Sequence, residues 1–444
     1  MIRHLRWLTL LVLLVWTLPA LSTPRQAADK PAQADYELFK LLADTIDEVE
    51  RNYVTEVDRR ELIEAAVRGV LGKLDPHSSY IGPDEIQRFR AGIESQFGGI
   101  GIQIAIDDGQ LMVLSPIFGT PAYRAGILAG DRILEIDGKP TDGLTIDDAV
   151  KLLKGDEGAA VTLTILHAAK DAKEKVTLKR EKIHVDTVLG DRRQPDGRWE
   201  YMLDPKRRLG YVRLSAFSRD TAAQLRGVLE RLKADGLRGL ILDLRYNPGG
   251  LLTAAVDVSD LFVSEGRIVS TEGRNSPARV WTAHQEGTFE RFPMVVLVNR
   301  FSASSSEIVA ACLQDHQRAL IVGERTWGKG SVQNLINLEG GRSALKLTTA
   351  SYRRPSGKNI HRFPDAKPSD EWGVTPDKGY RIDLGEAEML ALLESRRHRD
   401  ILQPASAATA SDRNGSQAKQ PAASQDRQLQ AALKYLEAEL AKAR

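Results

Sequence analysis

The chain has 444 residues, 42% hydrophobic and 27% charged, with a net charge of +2. That length requires two or three domains rather than one core, and the near-neutral charge excludes a strongly basic nucleic-acid groove and an acidic solvating chain alike. Cys312 is the only cysteine, so no intrachain disulfide can form, and no Cys/His cluster has zinc spacing. Its neighbours Ala310, Ala311 and Leu313 point to an inert buried thiol.

At the start, Arg3, His4 and Arg6 precede an apolar run over 7–18, and Pro19-Ala20-Leu21-Ser22 supplies small residues for cleavage. This is the pattern of an export signal over 1–22. The run falls short of the roughly 20 residues that a membrane span needs. Removal near Ser22 is expected, with an uncleaved inner-membrane anchor facing the periplasm as the alternative. No cysteine follows the run, which argues against a lipoprotein. The mature chain is expected in a bacterial periplasm or secreted.

After a linker over 23–35, residues 36–92 read as helical. Leu38, Leu41, Leu42, Ile46 and Val49 recur at helical spacing, as do Leu62, Ile63, Ala66, Val70 and Leu71, and a further pattern covers 84–91. From Phe97 the texture changes to short strands, starting with Gly98-Gly99-Ile100-Gly101-Ile102 and closing with strands near 161–166 and 175–180. Asp137-Gly138 marks a tight turn. Thr145 and Asp148 resemble a capping box before a helix over 149–154. This makes 93–183 a β-rich module.

Over 184–385 strands and helices alternate. The apolar runs at 240–244 and Met294–Val298 suit strands covered on both faces, with helices Thr221–Ala234 and Ser305–Asp315 between and after them. The expected core is α/β with a mixed sheet and packed helices. Residues 386–424 read as a linker, poor in large apolar groups from Pro404 on. Helical periodicity returns over 425–444 through Leu429, Leu433, Leu436 and Leu440, a helix that can dock on the body or on a second copy.

Two stretches carry chemistry. Arg300-Phe301-Ser302-Ala303-Ser304-Ser305-Ser306-Glu307 brings a strand through a serine-rich turn into a helix, and Trp327-Gly328-Lys329-Gly330-Ser331-Val332-Gln333 sets a lysine between two glycines. A serine hydroxyl needs a neighbour to remove its proton. A lysine does so only when neutral, so burial must lower its pKa from about 10.4. Glycines on both sides allow close approach, Trp327 and Val332 are placed to exclude water, and the Gln333 amide is within reach to hold the amine. The bland readings are a solvated loop lysine and an N-capping serine among Ser302, Ser304, Ser305 and Ser306. Free amides at a helix start can also bind an oxyanion, with Ser305 N–H as one donor and the Asn247-Pro248-Gly249-Gly250 turn as source of a second.

Over about 36–380 the chain resembles the carboxy-terminal processing peptidases, or tail-specific proteases. The resemblance rests on Leu74-Asp75-Pro76-His77-Ser78-Ser79-Tyr80, Phe97-Gly98-Gly99-Ile100-Gly101-Ile102, Asp243-Leu244-Arg245-Tyr246-Asn247-Pro248-Gly249-Gly250, the serine turn, Gly323-Glu324 and Thr326-Trp327-Gly328-Lys329-Gly330. Arg354-Pro355-Ser356-Gly357 and Gly373-Val374-Thr375-Pro376-Asp377 extend it. It implies Ser304 as nucleophile, Lys329 as general base, Gln333 as the lysine-orienting glutamine, and Gly250 and Ser305 as oxyanion-hole amides. Ser305 stands where alanine is usual and Trp327 where phenylalanine is usual. The resemblance also implies that 93–183 is a PDZ domain. There Gly98, Gly99, Ile100, Gly101 and Ile102 would offer amides and a strand edge to an apolar protein C-terminus, and the domain can gate the catalytic site.

The implied enzyme is a serine endopeptidase acting through an acyl-enzyme, with no cofactor, metal or nucleic acid. Its partners are proteins or peptides with exposed apolar C-termini; an adaptor or regulator and a second copy of the chain stay open. Two rivals remain at this level. One is a catalytically silent PDZ scaffold. The other is a histidine-dependent hydrolase using His77, although the resemblance makes His77 structural and His316 is expected to meet the carbonyls ending its helix.

Overall fold

The computed structural model describes residues 32–94, 96–168, 172–194, 196–401 and 426–442. The expected export signal over 1–22 lies outside these residues, as does much of both expected linkers. The chain divides into two compact units at Val70/Leu71. In the first, helices Ala32–Asn52 and Arg59–Leu71 follow the apolar spacing, and Arg59 binds both Asp47 and Glu50. Tyr36, Leu38, Phe39 and Leu41 of this unit stay exposed.

The second unit is built on a sheet whose strands Leu209–Leu214, Gly239–Asp243, Met294–Val298 and Leu320–Gly323 run parallel in chain order. Every residue of the first three is buried. Helices Thr221–Ala234, Leu252–Asp260 and Ser305–Asp315 add Leu225, Leu229, Val258, Val309 and Leu313 to the main core. The other face receives helix Arg427–Lys442, whose Leu429, Ala432 and Leu436 pack on Tyr211, Ile241, Val295 and Val322. The terminal helix therefore docks on the body, and the continuous apolar runs are explained by cover on both faces.

A second, antiparallel sheet joins Arg267–Glu272, Arg279–Thr282, Ser331–Leu338 and Ser343–Arg353. Its edge is strand Ser79–Ile81, paired with 344–346. Within the N-terminal helical segment this one short strand separates the helices. The Asp75-Pro76 turn ends the helix, and Asp75 then holds the N–H groups of His77 and Ser78 at 2.7 and 2.9 Å, which turns the chain into the strand. His77 is thus a turn residue rather than a helical one.

The module following helix Pro83–Glu94 is a five-strand antiparallel path of Ile102–Asp107, Gln110–Pro116, Arg132–Ile136, Ala160–His167 and Ala172–Lys179. Helix Ile146–Leu153 closes it, with Thr145 Oγ1 accepting from Asp148 N–H at 3.2 Å. Asp137 and Gly138 both have positive φ, as their turn requires. Ile102–Asp107 is a free edge beside that helix.

The expected linkers are corrected at both ends. Helix Ala32–Asn52 starts inside 23–35, and 386–400 is helix Glu386–Asp400. The latter buries Leu392, Ser395 and Arg396 rather than an apolar stripe, so hydrophobic periodicity could not reveal it. Leu436→Ala is expected to cost about 2–5 kcal/mol, read as a lower denaturant midpoint; an unchanged midpoint would contradict the docking of the terminal helix.

Candidate active site

The site lies at the carboxyl ends of two adjacent parallel strands, the position where open α/β sheets place ligands. After Met294–Val298 the chain enters the serine turn, and each serine takes a different task. Ser302 Oγ accepts from Asn299 N–H at 2.9 Å and donates to Leu244 O at 2.8 Å. Ser305 Oγ donates to Gly250 O at 3.0 Å and Ser306 Oγ to Asn247 O at 2.9 Å. Ser304 stands at the helix N-cap with φ 55° and ψ −113°, and its hydroxyl makes no capping bond. Its side chain lies against Tyr352, whose phenol burial pushes up to about 12 while Ser304 pulls the other way. A non-glycine residue at positive φ costs about 1–3 kcal/mol and marks functional turns.

What holds Ser304 there is the carboxylate of Glu307, fully buried at the third position of the helix. Its Oε1 accepts from Thr326 Oγ1 at 2.5 Å and Gly328 N–H at 2.6 Å. Oε2 accepts from Ser304 N–H and Lys329 N–H, each at 2.8 Å. The backbone nitrogens of the candidate nucleophile and base therefore share one oxygen atom. Burial pushes Glu307 up to about 7 against the pull of the four donors.

The lysine loop closes tightly because its glycines lack a Cβ. A Cβ on Gly328 would lie 2.7 Å from Arg362 Cβ, and one on Gly330 would lie 2.3 Å from His361 N. Lys329 is partly buried, and its pKa is lowered by burial first and by Lys346 second, with Glu307 opposing. Trp327, expected to exclude water, is 53% exposed, and it is His361 and Arg362 that pack on the two glycines. Among the described residues no hydrogen bond joins Ser304 Oγ to Lys329 Nζ.

Gly249 and Gly250 press against the nucleophile turn. A Cβ on Gly249 would sit 2.8 Å from Ser304 Cβ, and one on Gly250, at φ 151°, would sit 2.1 Å from Phe217 O. Asn247, fully buried, locks this turn: its Nδ2 donates to Leu214 O at 2.9 Å, its Oδ1 accepts from Gly249 N–H at 2.9 Å, and its carbonyl accepts from Ala303 N–H at 3.0 Å. Among the described residues the N–H groups of Gly250 and Ser305 have no acceptor. Two amides without an acceptor thus sit next to the Ser304 hydroxyl, which lies against the Tyr352 phenol.

Gln333 differs from expectation. Its amide donates to Ser331 Oγ at 2.9 Å and Thr348 Oγ1 at 3.2 Å instead of holding the lysine amine. The cause is a register shift at Val332/Gln333 that sets Gln333 opposite Thr348, which in turn donates to Asp75 at 3.2 Å. His77 is close enough to Lys329 for that charge, after burial, to lower its pKa. His316 Nε2 meets Arg267 O at 2.8 Å, across to a neighbouring strand, rather than its own helix end. Cys312 is buried in the core and its thiol is pushed up to about 12.

In the β-rich module, Gln96–Gly99 pairs with Glu181–His184, and Ile100 is buried in the module's core. Gly101 has φ 77°, and a Cβ there would meet Thr120 at 2.3 Å. The five residues Gly98 to Ile102 thus lead directly into the free strand edge, with Ile102, Ile104 and Leu152 partly buried along it. Tyr352 and Lys346 escaped the sequence reading, and Glu307 and Asn247 enter it only as members of their motifs.

Residues 208–378 match the family model of peptidase family S41, residues 112–166 that of the PDZ domain, and residues 19–84 that of the activating protease CtpB N-terminal domain. The carboxy-terminal-processing protease of Bartonella bacilliformis is 38% identical over 385 residues, 83% of each chain. The carboxy-terminal processing protease CtpA of Bacillus subtilis is 33% identical over 335 residues, 75% of this chain and 69% of its own. The carboxyl-terminal-processing protease of Synechocystis is 36% identical over 322 residues, 72% of this chain and 71% of its own.

Glu307→Gln puts an NH2 where two of four donors now point. It is expected to destabilise the fold by about 1–3 kcal/mol, measured by urea unfolding. An unchanged midpoint would contradict the four-donor arrangement.

Proposed function

Because the chain belongs to the carboxy-terminal processing protease family, peptidase family S41, and is a serine-type peptidase with a PDZ domain, we propose that Ser304 and Lys329 form its catalytic dyad and that it cleaves proteins selected by their C-terminal tails. Ser304 Oγ attacks the scissile carbonyl as Lys329 Nζ takes its proton. The N–H groups of Gly250 and Ser305 hold the oxyanion. Lys329 returns the proton to the leaving amine and then deprotonates the water that releases the acyl group. The observation that carries this reading is the shared Glu307 oxygen between Ser304 and Lys329, beside two amides without acceptors. A side-chain rotation must bring Oγ and Nζ together, since catalytic bonds often tighten only with substrate bound. Gln333 supports the strand that follows the lysine loop through Ser331 and Thr348.

Tail selection falls to the edge strand Ile102–Asp107. A peptide adding there would direct its carboxylate to the amides over 98–102 and its last apolar side chain toward helix Ile146–Leu153. We place the enzyme in the periplasm, on the strength of the export pattern over 1–22. Among the described residues no helix is long and apolar enough to cross a membrane.

Turnover of an unfolded protein with an apolar C-terminus is expected to fall roughly 10³-fold or more in Ser304→Ala and Lys329→Ala and to survive in His77→Ala. Loss in His77→Ala with activity kept in Lys329→Ala would instead favour the histidine hydrolase, and equal turnover by Ser304→Ala and the wild type, or none by either, would favour a silent scaffold. A peptide with a free apolar C-terminus is expected to bind more tightly than its amide; equal affinities would contradict tail recognition. Activity should rise with pH as Lys329 loses its proton, below the ordinary lysine range. Lys346→Met removes a cation that lowers that pKa, so the rising limb should move to higher pH; a limb that stays or moves lower contradicts the assignment.

A further inference from the structure

The turn that presents Gly250 starts at Arg245, whose side chain is 1% exposed and whose five N–H groups are all directed at side chains of the fold. Nε and Nη2 donate to Asp243 at 3.1 and 2.7 Å. Nη1 and Nη2 donate in parallel to the two oxygens of Asp426, both at 2.9 Å, and Nη1 also reaches Gln428 Oε1 at 3.0 Å. Asp426 directly precedes the terminal helix and caps it, accepting from Leu429 N–H at 3.0 Å, while Gln428 is itself fixed on Ile382 O at 2.7 Å. Arg396 completes the cluster, donating to Asp243 at 2.5 Å. Two arginines and two aspartates thus balance to zero charge in a place shut off from water.

Docking of the terminal helix does not need this cluster, since Leu429, Ala432 and Leu436 already cover the sheet. Buried ion pairs add little stability over apolar substitutes of the same shape. What a two-pronged arginine–carboxylate pair supplies is orientation. Beyond Arg245 the chain passes through Tyr246, held by Asn299 Oδ1 at 3.0 Å, and Asn247, which ties the Gly249-Gly250 turn to the Ser304 turn. A path of hydrogen bonds and consecutive backbone residues therefore runs from the terminal helix through Arg245, Tyr246 and Asn247 to the turn that carries the Gly250 amide.

We infer that the terminal helix is a lock on the oxyanion side of the active site, in which Asp426, assisted by Gln428, is a positioning residue acting through Arg245 on the Asn247-Pro248-Gly249-Gly250 turn. This rests on the reading of Gly250 N–H as an oxyanion donor. Losing Asp426 leaves a buried positive charge and removes the two-pronged contact of Arg245 with the terminal helix, leaving Asp243 and Gln428 as its holders, so the amide drifts from the developing oxyanion while the PDZ domain keeps its contacts. Misplacement of about 1 Å by a change far from the chemistry can cost roughly 100-fold in rate.

The test compares full-length Asp426→Asn and Leu436→Ala with the wild type on a peptide with an apolar C-terminus. The readings are kcat, KM, affinity for the peptide boronic acid that mimics the tetrahedral intermediate, and the unfolding midpoint. Asp426→Asn is expected to lower kcat and boronate affinity by about 10- to 100-fold, with KM within about 3-fold. Leu436→Ala is expected to lose stability and keep kcat within about 3-fold. Should Asp426→Asn fail to fold, Gln428→Ala, which leaves the charges balanced, is expected to lower kcat by about 3- to 10-fold with KM unchanged. A kcat for the Asp426 or Gln428 variant equal to that of Leu436→Ala, or a change confined to KM, overturns the lock alone. A wild-type chain that neither turns over peptide nor binds the boronate overturns the protease reading and the lock with it.

Discussion

One carboxylate organises the catalytic side of this molecule. Glu307 has no contact with water, yet it accepts four hydrogen bonds, two from the lysine loop and its approach, one from Ser304, and one from Lys329 itself. Burying an ionised carboxylate costs several kcal/mol, and bonds to a charged acceptor return about 1.5–3 kcal/mol each, so the four donors together offset the burial. That dependence on all sides of the site is useful. It fixes two segments from different parts of the chain to one pair of oxygen atoms, and leaves the Ser304 hydroxyl and the lysine amine outside that network.

The same division between held and free groups runs through the site. Ser302, Ser305 and Ser306 spend their hydroxyls on backbone carbonyls, whereas Ser304 is kept at positive φ by its surroundings and does not. Serine at 305, where alanine is usual in the resembled family, does not compete as a nucleophile, because its hydroxyl is used on Gly250 and Leu251 carbonyls. Glycines at 249, 250, 328 and 330 let three backbone segments meet where any Cβ would collide. The electrostatic setting of Lys329 is a balance of burial and Lys346 against Glu307, with burial the largest contribution.

Sequence reasoning went furthest where structure is decided locally. Helices Thr221–Ala234 and Ser305–Asp315 and the strand Met294–Val298 carry their own apolar patterns, and the glycines flanking Lys329 announce a close approach. It fell short where a polar group, not an apolar one, is buried. Helix Glu386–Asp400 turns Arg396 inward and so reads in sequence as a linker. The resemblance implies Gln333 as the lysine's partner, but a one-residue register shift in the hairpin sets it opposite Thr348 instead. Nothing in a linear reading joins Asp426 to Arg245, since their meeting depends on how the last helix lies on the sheet.

The central claim is that the fold keeps the Lys329 amine from holding its proton as an ordinary lysine does. It is tested most directly by following that amine in lysine-labelled protein by NMR through a pH titration, with Lys329→Arg used to assign the signal. The account predicts a midpoint clearly below the usual value of about 10.4. A midpoint at or above that value would contradict it.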